Sequence, residues 1–335
     1  MQFKSDGTLK IMQITDMQEI PAISPDTLAL LDAAVEAEHP DLVIYTGDQI
    51  KGYGVTYKGK TKNADQFNDI YKSLPGCIGE QAEGIPGGGT YAVPLTASDG
   101  SGRTVMNLYL FDTGTDAKGG GYEAFDPAII DWYRKTRDAL KAETGHYVPS
   151  LVFQHIPMPE YYHVLRRVKK SEKGAIQAFR THKNEFYKLG DTCRPGDMLE
   201  EPPSIPDINN GEFDALHEKG DILGVFVGHD HKNSFVGRYK DMDLGFTQSA
   251  GFNVYGNRTK RGVRCFVLHE DDPTHYDTYT RTYEQLVGTK VHRPMFDYLS
   301  SKAPATMDAA IPMIVKTVVG LAVIVALIIL LAKLL

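Results

Sequence analysis

Five side chains of the types that bind divalent metal ions stand at the ends of predicted strands. Apolar segments lead into Asp16 in ITD, Asp48 in TGD and His155 in FQH. The run ILGVF leads into VGHDH, which places His229 and His231 two positions apart. On extended backbone this spacing turns both imidazoles to the same side. Carboxylates combined with imidazoles favour Mn, Fe or Zn over Ca, and the lack of thiolates argues against a structural zinc site.

Each of these residues taken alone has an ordinary structural explanation. An aspartate at a strand end is commonly a turn or helix-cap residue, and a single histidine is commonly a core or loop residue. The argument for a metal site depends on the combination, because four separate strand ends carry side chains of the same chemical kind. We therefore expect the five side chains to meet in one pocket that binds divalent metal ions.

The elements that position these residues alternate between strand and helix. Residues 9–15 and 41–47 are predicted strands, and residues 24–38 between them have the apolar spacing of a helix. A short β-α-β crossover is right-handed and leaves its two strands parallel. Asp16 and Asp48 should therefore emerge at the same edge of a sheet, where open α/β folds bind their ligands.

The rest of the chain continues this alternation and indicates the α/β class. Residues 104–112 and 147–155 are predicted strands, and the segment that ends at His229 is another. Residues 126–144 and 174–189 are predicted helices. Four short β segments follow, from FVGRYK to HYDTYTRTY, and they indicate a second, antiparallel sheet.

The composition is that of a globular protein and excludes several functional classes. The chain has 335 residues, of which 42% are hydrophobic and 24% charged, with a formal net charge of −7. Nucleic-acid binding depends mainly on Lys and Arg, so we expect no nucleic-acid partner. The cysteines Cys77, Cys193 and Cys265 lack CxxC spacing and do not form a disulfide framework. The glycine-rich segments lack GxxxxGK[ST], and no GxSxG motif occurs.

An apolar C-terminal segment predicts membrane attachment. Residues 311–335 form an apolar stretch long enough to cross the roughly 30 Å hydrocarbon layer as a helix. The alternative is a buried core helix, but residues 317–332 show no polar stripe. The N-terminal residues do not form a signal peptide, and basic residues precede the apolar segment, so the main domain is expected in the cytoplasm. We expect a domain over 1–285, a juxtamembrane linker over 286–310 and a single-pass C-terminal anchor over 311–335.

The motifs TDMQ, TGDQ, FQH and GHDH resemble those of the calcineurin-like metallophosphoesterases, in particular their purple-acid-phosphatase-like branch. The resemblance covers about residues 9–285. It implies a four-layer α-β-β-α sandwich that holds two divalent metals, about 3.5 to 4 Å apart, which activate a bridging water and clamp a phosphate. It also implies ligands for each metal: Asp16 and His231 for the first, His155 and His229 for the second, and Asp48 for both.

The chain departs from the family pattern in two places. Where many relatives have Asp-x-His, this chain has Gln18, a neutral oxygen ligand, so the first metal is expected to be bound more weakly or completed by water. The Gly-Asn-His-Asp motif of the family has no counterpart between Asp48 and His155, and Asn63 is a faint substitute without an adjacent histidine. The histidine of that motif contributes an effect of about 10²- to 10⁴-fold. The catalytic histidine is therefore unassigned, and one or both metals are expected to be retained.

The resemblance implies hydrolysis of a phosphate ester, either a small molecule or a phosphoprotein, by metal-activated water. Three interpretations follow from the missing motif. The chain is a weakened phosphoesterase, a catalytically inactive metal- or phosphate-binding regulatory module of the same fold, or a chain from which part of a working ancestor has been deleted. The membrane, reached through the C-terminal helix, is the other expected partner.

Overall fold

The computed structural model describes residues 1–52, 64–304 and 307–334, and it leaves out the side chains of 64–67, 307–309, 312 and 330–334. The described residues have a mixed α/β fold, which confirms the predicted class. The strands are β1 (Thr8–Ile14), β2 (Leu42–Tyr45), β3 (Tyr91–Thr96), β4 (Thr104–Phe111), β5 (Ser150–Gln154), β6 (Leu165–Val168), β7 (Ile176–Gln177), β8 (Phe186–Leu189), β9 (Ile222–Val227), β10 (Val236–Tyr239), β11 (Met242–Phe246), β12 (Gly262–His269) and β13 (Tyr276–Thr282). The helices are α1 (Pro25–Glu38), α2 (Ala64–Lys72), α3 (Pro127–Thr144), α4 (Glu212–His217), α5 (Tyr283–Leu286), α6 (Pro294–Ser301) and α7 (Met307–Leu334).

Two sheets face each other across the central core. The larger has the strand order β10-β11-β9-β5-β4-β3, and the smaller has the order β13-β12-β1-β2. A third, small sheet has the order β6-β8-β7. Strands β1 and β2 pair in parallel, with Ile11 opposite Leu42, as the predicted β-α-β unit requires. This pairing brings the ends of the two aspartate-bearing strands to the same edge.

Alternation of side chains along the strands produces the layers. In β1, Ile11 lies in the core between the two sheets, whereas Met12 packs with Leu30 of α1 on the opposite face. Successive side chains of a strand point to opposite faces, so one strand serves both cores. On the larger sheet, Val152 packs with Ile129 of α3. The two sheets are therefore covered on their outer faces by α1 and α3.

The predicted helix over 126–144 is confirmed, with its capping residues. The Asp126 side chain accepts a hydrogen bond from the Ala128 N–H at 2.8 Å, and Pro127 occupies the first turn. Gly145 ends the helix with a φ of 83°, a conformation that glycine adopts without strain. Local signals therefore determine both ends of α3.

The predicted helix over 174–189 is wrong. This segment contains β7, a 3-10 helix at Arg180–His182 and β8. Strand β8 pairs antiparallel with β6, with Phe186 opposite Val168. Aromatic and β-branched side chains pack well on such pairs, so a pairing partner distant in sequence overrides the helical spacing.

The C-terminal β segments are strands, but they do not form one separate antiparallel sheet. Strands β10 and β11 extend the larger sheet, whereas β12 and β13 join β1 in the smaller one. Strand β12 pairs antiparallel with β1, with Leu268 opposite Leu9. Strands β12 and β13 thus join the N-terminal strand and complete the smaller sheet, whose strand β1 leads into Asp16.

The C-terminal segment forms the helix α7. Among the described parts of the chain, no helix is long and apolar enough to cross a membrane. The structure therefore does not support the predicted membrane-spanning anchor over 311–335.

Candidate metal centre

The predicted metal ligands come from both sheets. Asp16 and Asp48 follow β1 and β2 of the smaller sheet. His155 follows β5 of the larger sheet, and His229 and His231 follow its neighbour β9. Because the two sheets face each other, these loops meet at one end of the sandwich. The site therefore lies between the sheets, not along the edge of one sheet.

The structure brings all five predicted side chains together. The ligand atoms of Asp16, Asp48 and His231 lie within 4.8 Å of one another. The Nε2 atom of His155 is 3.9 Å from Asp16 Oδ1 and 3.9 Å from Asp48 Oδ2. The Nδ1 atom of His229 is 3.1 Å from His155 Nε2. We call this set, Asp16, Asp48, His155, His229 and His231, the donor cluster.

Backbone carbonyls fix the orientation of two imidazoles. His155 Nδ1 lies 2.7 Å from the carbonyl oxygen of Thr46, and His231 Nδ1 lies 2.9 Å from that of Tyr255. A ring nitrogen that contacts a carbonyl oxygen carries the proton, so the Nε2 atom of each neutral ring has a free lone pair. Carbonyl partners of this kind are typical of histidines that bind metals. Both rings therefore present a lone pair to the donor cluster.

The two carboxylate oxygens of Asp16 have different surroundings. The Oδ2 atom accepts hydrogen bonds from the Thr15 hydroxyl at 2.7 Å and from the His229 backbone N–H at 2.8 Å. The Oδ1 atom is buried and has no hydrogen-bond donor among the described residues. It lies 3.2 Å from His231 Nε2, whose lone pair faces it. The pair therefore fits a cation bound between them, either a metal ion or the proton that the raised pKa of His231 favours.

The pKa values of Asp16 and His229 favour the forms that bind metal, whereas that of His231 does not. Burial opposes ionisation of Asp16, but the charges of His155 and His231 outweigh it and hold its pKa below the usual value. Burial, together with His155, holds the pKa of His229 well below the usual value. Burial acts in the same direction on His231, but the adjacent Asp16 carboxylate raises its pKa. An ionised aspartate and a neutral His229 are the states that metal binding requires.

Four residues in or next to the donor cluster have strained backbone conformations. The residues Asp16, Gln18, Asp48 and His229 have φ values of 52°, 41°, 49° and 73°. The left-handed region costs a non-glycine residue of the order of 1 to 3 kcal/mol, so it persists only where the surroundings impose it. Its concentration here indicates that the fold holds these side chains in positions selected for binding.

Two glycines allow the loops of the cluster to approach closely. A Cβ atom at Gly47 would lie 2.6 Å from His155 Nδ1. At Gly228 it would lie 1.9 Å from the Thr15 hydroxyl oxygen and 2.6 Å from Asp16 Oδ2. The glycines of TGD and VGHDH are therefore required by packing between the loops, and Gly47 is also required by its φ of 103°.

Gln18 contacts the donor cluster through its amide nitrogen. This nitrogen donates a hydrogen bond to Asp48 Oδ2 and lies 3.4 Å from His231 Nε2. The amide hydrogens therefore face two of the atoms that would bind the first cation. To bind a cation, the amide must rotate to present its oxygen, which gives up both contacts. This arrangement gives a structural reason for the weak ligand predicted at this position.

Replacing Gln18 by histidine is expected to tighten Mn²⁺ binding by about tenfold, because an imidazole nitrogen presents a lone pair without loss of an amide contact. Histidine tolerates the φ of 41° at this position better than most residues do. Isothermal titration calorimetry measures the binding constant, with Gln18→Asn as the control that keeps an amide. An affinity in Gln18→His no higher than in the wild type contradicts this role for Gln18.

Sequence reasoning missed the residues that support His231. The Tyr255 ring stacks on its imidazole, with a centroid distance of 4.1 Å. The Tyr255 hydroxyl donates a hydrogen bond to Glu201 Oε2 at 3.0 Å, and the Lys232 backbone N–H donates one to Glu201 Oε1 at 2.6 Å. These contacts join three distant parts of the chain. No local spacing in the sequence indicates them.

The resemblance places a Gly-Asn-His-Asp motif at a strand end between Asp48 and His155. The two strands described between β2 and β5, namely β3 and β4, are not followed by an Asn-His pair. Between β2 and β3, the described residues 64–90 contain α2 and no strand. Asn63, the faint substitute, lies outside the described residues. The described residues therefore include no strand end that places an Asn-His pair beside the donor cluster.

Comparison with known proteins agrees with the geometry of the cluster. The chain is 25% identical to “Probable inactive purple acid phosphatase 14” of Arabidopsis thaliana over an alignment of 320 residues, covering 76% of this chain and 74% of that relative. It is 26% identical to “Probable inactive purple acid phosphatase 29” of the same organism over 318 residues, covering 76% of this chain and 75% of that relative. The chain is similar to these purple-acid-phosphatase-like proteins, which supports its resemblance to the calcineurin-like metallophosphoesterases.

Two further comparisons concern solved structures and family profiles. A solved structure of a dimetal phosphatase from Danio rerio has a TM-score of 0.41 and 11% identity to this chain, covering 82% of this chain and 99% of that one. No family profile matches the chain. Both Arabidopsis relatives have the word “inactive” in their names.

Proposed function

We propose that this protein is a metallophosphoesterase that hydrolyses phosphate esters with divalent metal ions, at a rate reduced by the missing histidine. The observation that carries the proposal is the convergence of Asp16, Asp48 and His231, with the buried Asp16 Oδ1 lacking a hydrogen-bond donor among the described residues. Similarity to purple-acid-phosphatase-like relatives supports the reaction class. The proposed substrate is a small phosphate ester or a phosphoprotein.

The residues of the donor cluster would hold the metal ions. A bound ion of Mn, Fe or Zn supplies a water of lowered pKa and polarises a phosphate oxygen. The carbonyl and hydroxyl contacts described above orient the ligands before an ion binds, so little rearrangement is needed. We propose that Asp16, Asp48 and His231 hold one ion, with Gln18 as a weak ligand. We propose that His155 and His229 hold the other ion, and that Asp48 contributes to both.

The missing histidine determines which esters should react. Without that group, the leaving oxygen takes its proton from water, so the reaction depends more strongly on the acidity of the leaving group. Esters of p-nitrophenol leave as a stable anion and are expected to react faster than alkyl phosphates. We therefore propose a slow phosphoesterase whose rate follows the leaving-group pKa.

Hydrolysis of p-nitrophenyl phosphate in the presence of Mn²⁺ tests the proposal. The wild type is expected to release p-nitrophenol, and Asp48→Asn to lower the rate by at least about 100-fold, because it removes a ligand charge. Asp99→Asn changes an exposed aspartate in the turn between β3 and β4 and should keep the wild-type rate. Equal rates in the wild type and Asp48→Asn would show that the cluster is not the source of the activity.

A second candidate is a regulatory module that binds metal or phosphate without turnover. The names of both Arabidopsis relatives and the missing Asn-His motif favour it. Metal analysis of the purified protein separates the two candidates. Two tightly held ions per chain with turnover support the hydrolase, whereas one ion with phosphate binding and no turnover supports the module.

A further inference from the structure

Helix α6 presents apolar side chains to the outside and buries its acidic one. Asp297 is 3% exposed, whereas Met295, Phe296, Tyr298 and Leu299 are 69%, 40%, 48% and 60% exposed. A helix on the surface of a soluble protein normally shows the opposite distribution. We call these four exposed side chains the α6 face.

Ion pairs to Asp297 fix the orientation of this helix. The fully buried Arg261 donates a hydrogen bond to Asp297 Oδ1 at 2.9 Å. Arg258 Nε lies 3.4 Å from Asp297 Oδ2. A buried arginine requires its carboxylate partner, because an unpaired buried charge is strongly destabilising. The pair therefore holds the polar side of α6 against the domain and its apolar side outwards.

A lysine next to the donor cluster holds the end of α6. The Lys232 ammonium donates hydrogen bonds to the carbonyl oxygens of Ser301 and Ala303, each at 3.0 Å. Cations stabilise the C-terminal end of a helix, where carbonyl groups lack partners. Lys232 directly follows His231. The loop that bears the metal ligands is therefore attached to α6.

Positive charge surrounds the α6 face, although the chain as a whole has a net charge of −7. The Arg293 guanidinium lies 4.6 Å from the Phe296 ring centroid, and the Lys302 ammonium lies 5.9 Å from that of Tyr298. An exposed acid, Glu284, accepts a hydrogen bond from Thr259 in the same region. The exposed basic residues near α6 in sequence or by contact are Arg258, Lys260, Lys290, Arg293 and Lys302.

The chain continues from α6 into the apolar helix α7. All side chains over 313–329 are exposed, and apart from Lys316 and Thr317 they are apolar or glycine. Exposed apolar surfaces of this size indicate a contact with another apolar phase or protein. An aromatic and apolar face, flanked by Lys and Arg and followed in the chain by an apolar helix, is typical of helices that lie in a lipid headgroup layer. A lipid surface therefore fits better than a protein groove.

We propose that the α6 face lies in the headgroup layer of a membrane that carries anionic lipids. The apolar side chains enter between the headgroups, and the surrounding Lys and Arg side chains contact the lipid phosphates. Through the contacts of Lys232, the donor cluster is then held at a fixed distance from the membrane. The proposal does not require α7 to cross the bilayer, and it is independent of catalysis.

Tryptophan quenching in the full chain tests this contact. In a Trp132→Phe background, Leu299→Trp is reconstituted with vesicles of phosphatidylcholine and about 30% phosphatidylserine, with brominated acyl chains. We expect about a twofold loss of emission, since the residue lies near the acyl chains. The matched control is Ile208→Trp, 63% exposed in the loop before α4, which should not be quenched.

Further variants separate lipid contact from other causes. Lys290→Gln combined with Lys302→Gln, or replacement of phosphatidylserine by neutral lipid, should reduce the quenching about twofold. Phe296→Trp keeps an aromatic ring and gives a second probe should Leu299→Trp fail to fold. Absence of quenching at both probes, or equal quenching at Ile208→Trp, overturns the proposal. Concentration-dependent burial of the probe without lipid also overturns it, because a second copy of the chain then covers the face.

Discussion

Replacing Asp16 by asparagine is expected to weaken Mn²⁺ binding by at least about 100-fold. The substitution removes the charge that attracts the cation. It also removes the carboxylate that lies 3.2 Å from His231 Nε2 and raises the pKa of that histidine. Asparagine tolerates the φ of 52° at this position, and its remaining oxygen can still accept from Thr15 and His229.

Titration calorimetry with Mn²⁺ measures the loss of affinity, and chemical denaturation without metal checks that the variant folds. The control is Asp221→Asn, another buried aspartate with one unpartnered oxygen, whose Oδ2 accepts a hydrogen bond from the Tyr133 hydroxyl at 2.9 Å. It lies before β9, at the opposite end of that strand from the cluster, and should leave Mn²⁺ affinity unchanged. Wild-type affinity in Asp16→Asn would falsify the assignment of Asp16 as a ligand.

Replacing Gly251 by alanine is expected to destabilise the protein by about 3 kcal/mol and to displace the loop that carries Asp16. The added Cβ would lie 1.8 Å from the Met17 carbonyl oxygen and 2.5 Å from its carbonyl carbon. Both atoms belong to backbone, which cannot move aside as a flexible side chain does. Met17 stands between Asp16 and Gln18, so any shift of its peptide changes the positions of both.

The free energy of unfolding and the Mn²⁺ affinity should therefore fall together in Gly251→Ala. Gly119→Ala is the matched control, because a Cβ atom at Gly119 would have no other atom within 4 Å and the residue has no left-handed φ. That control should change stability by less than about 0.5 kcal/mol. A stable Gly251→Ala protein with unchanged Mn²⁺ affinity contradicts the close packing of this loop.

The donor cluster could be predicted because its members are positioned by local signals. Asp16 and Asp48 end strands that a short helix connects, and such strands lie in parallel with their ends together. His155 and the HxH pair likewise follow apolar strands. The type and order of the cluster residues were therefore accessible from the sequence, whereas the distances between them were not.

The partners of those ligands could not be predicted from the sequence. The Thr46 carbonyl that contacts His155 is 109 positions away from it along the chain. Glu201 supports Tyr255 across 54 positions. Such contacts depend on the packing of whole sheets, and neither residue type nor spacing indicates them. The same limit applies to Gln18, whose amide orientation depends on the two side chains that it contacts.

The pattern of apolar and capping residues was sufficient to predict an element where neighbouring residues determine its structure. The helix α3 follows its cap, and β1, β2 and α1 form the predicted crossover. Tertiary structure decided the remainder. It paired β8 with β6 instead of leaving a helix, divided the C-terminal strands between two sheets, and turned the apolar face of α6 outwards by pairing Asp297 with Arg261. The physical reason is that these outcomes depend on hydrogen bonds and ion pairs between distant segments, which exist only after the chain has folded.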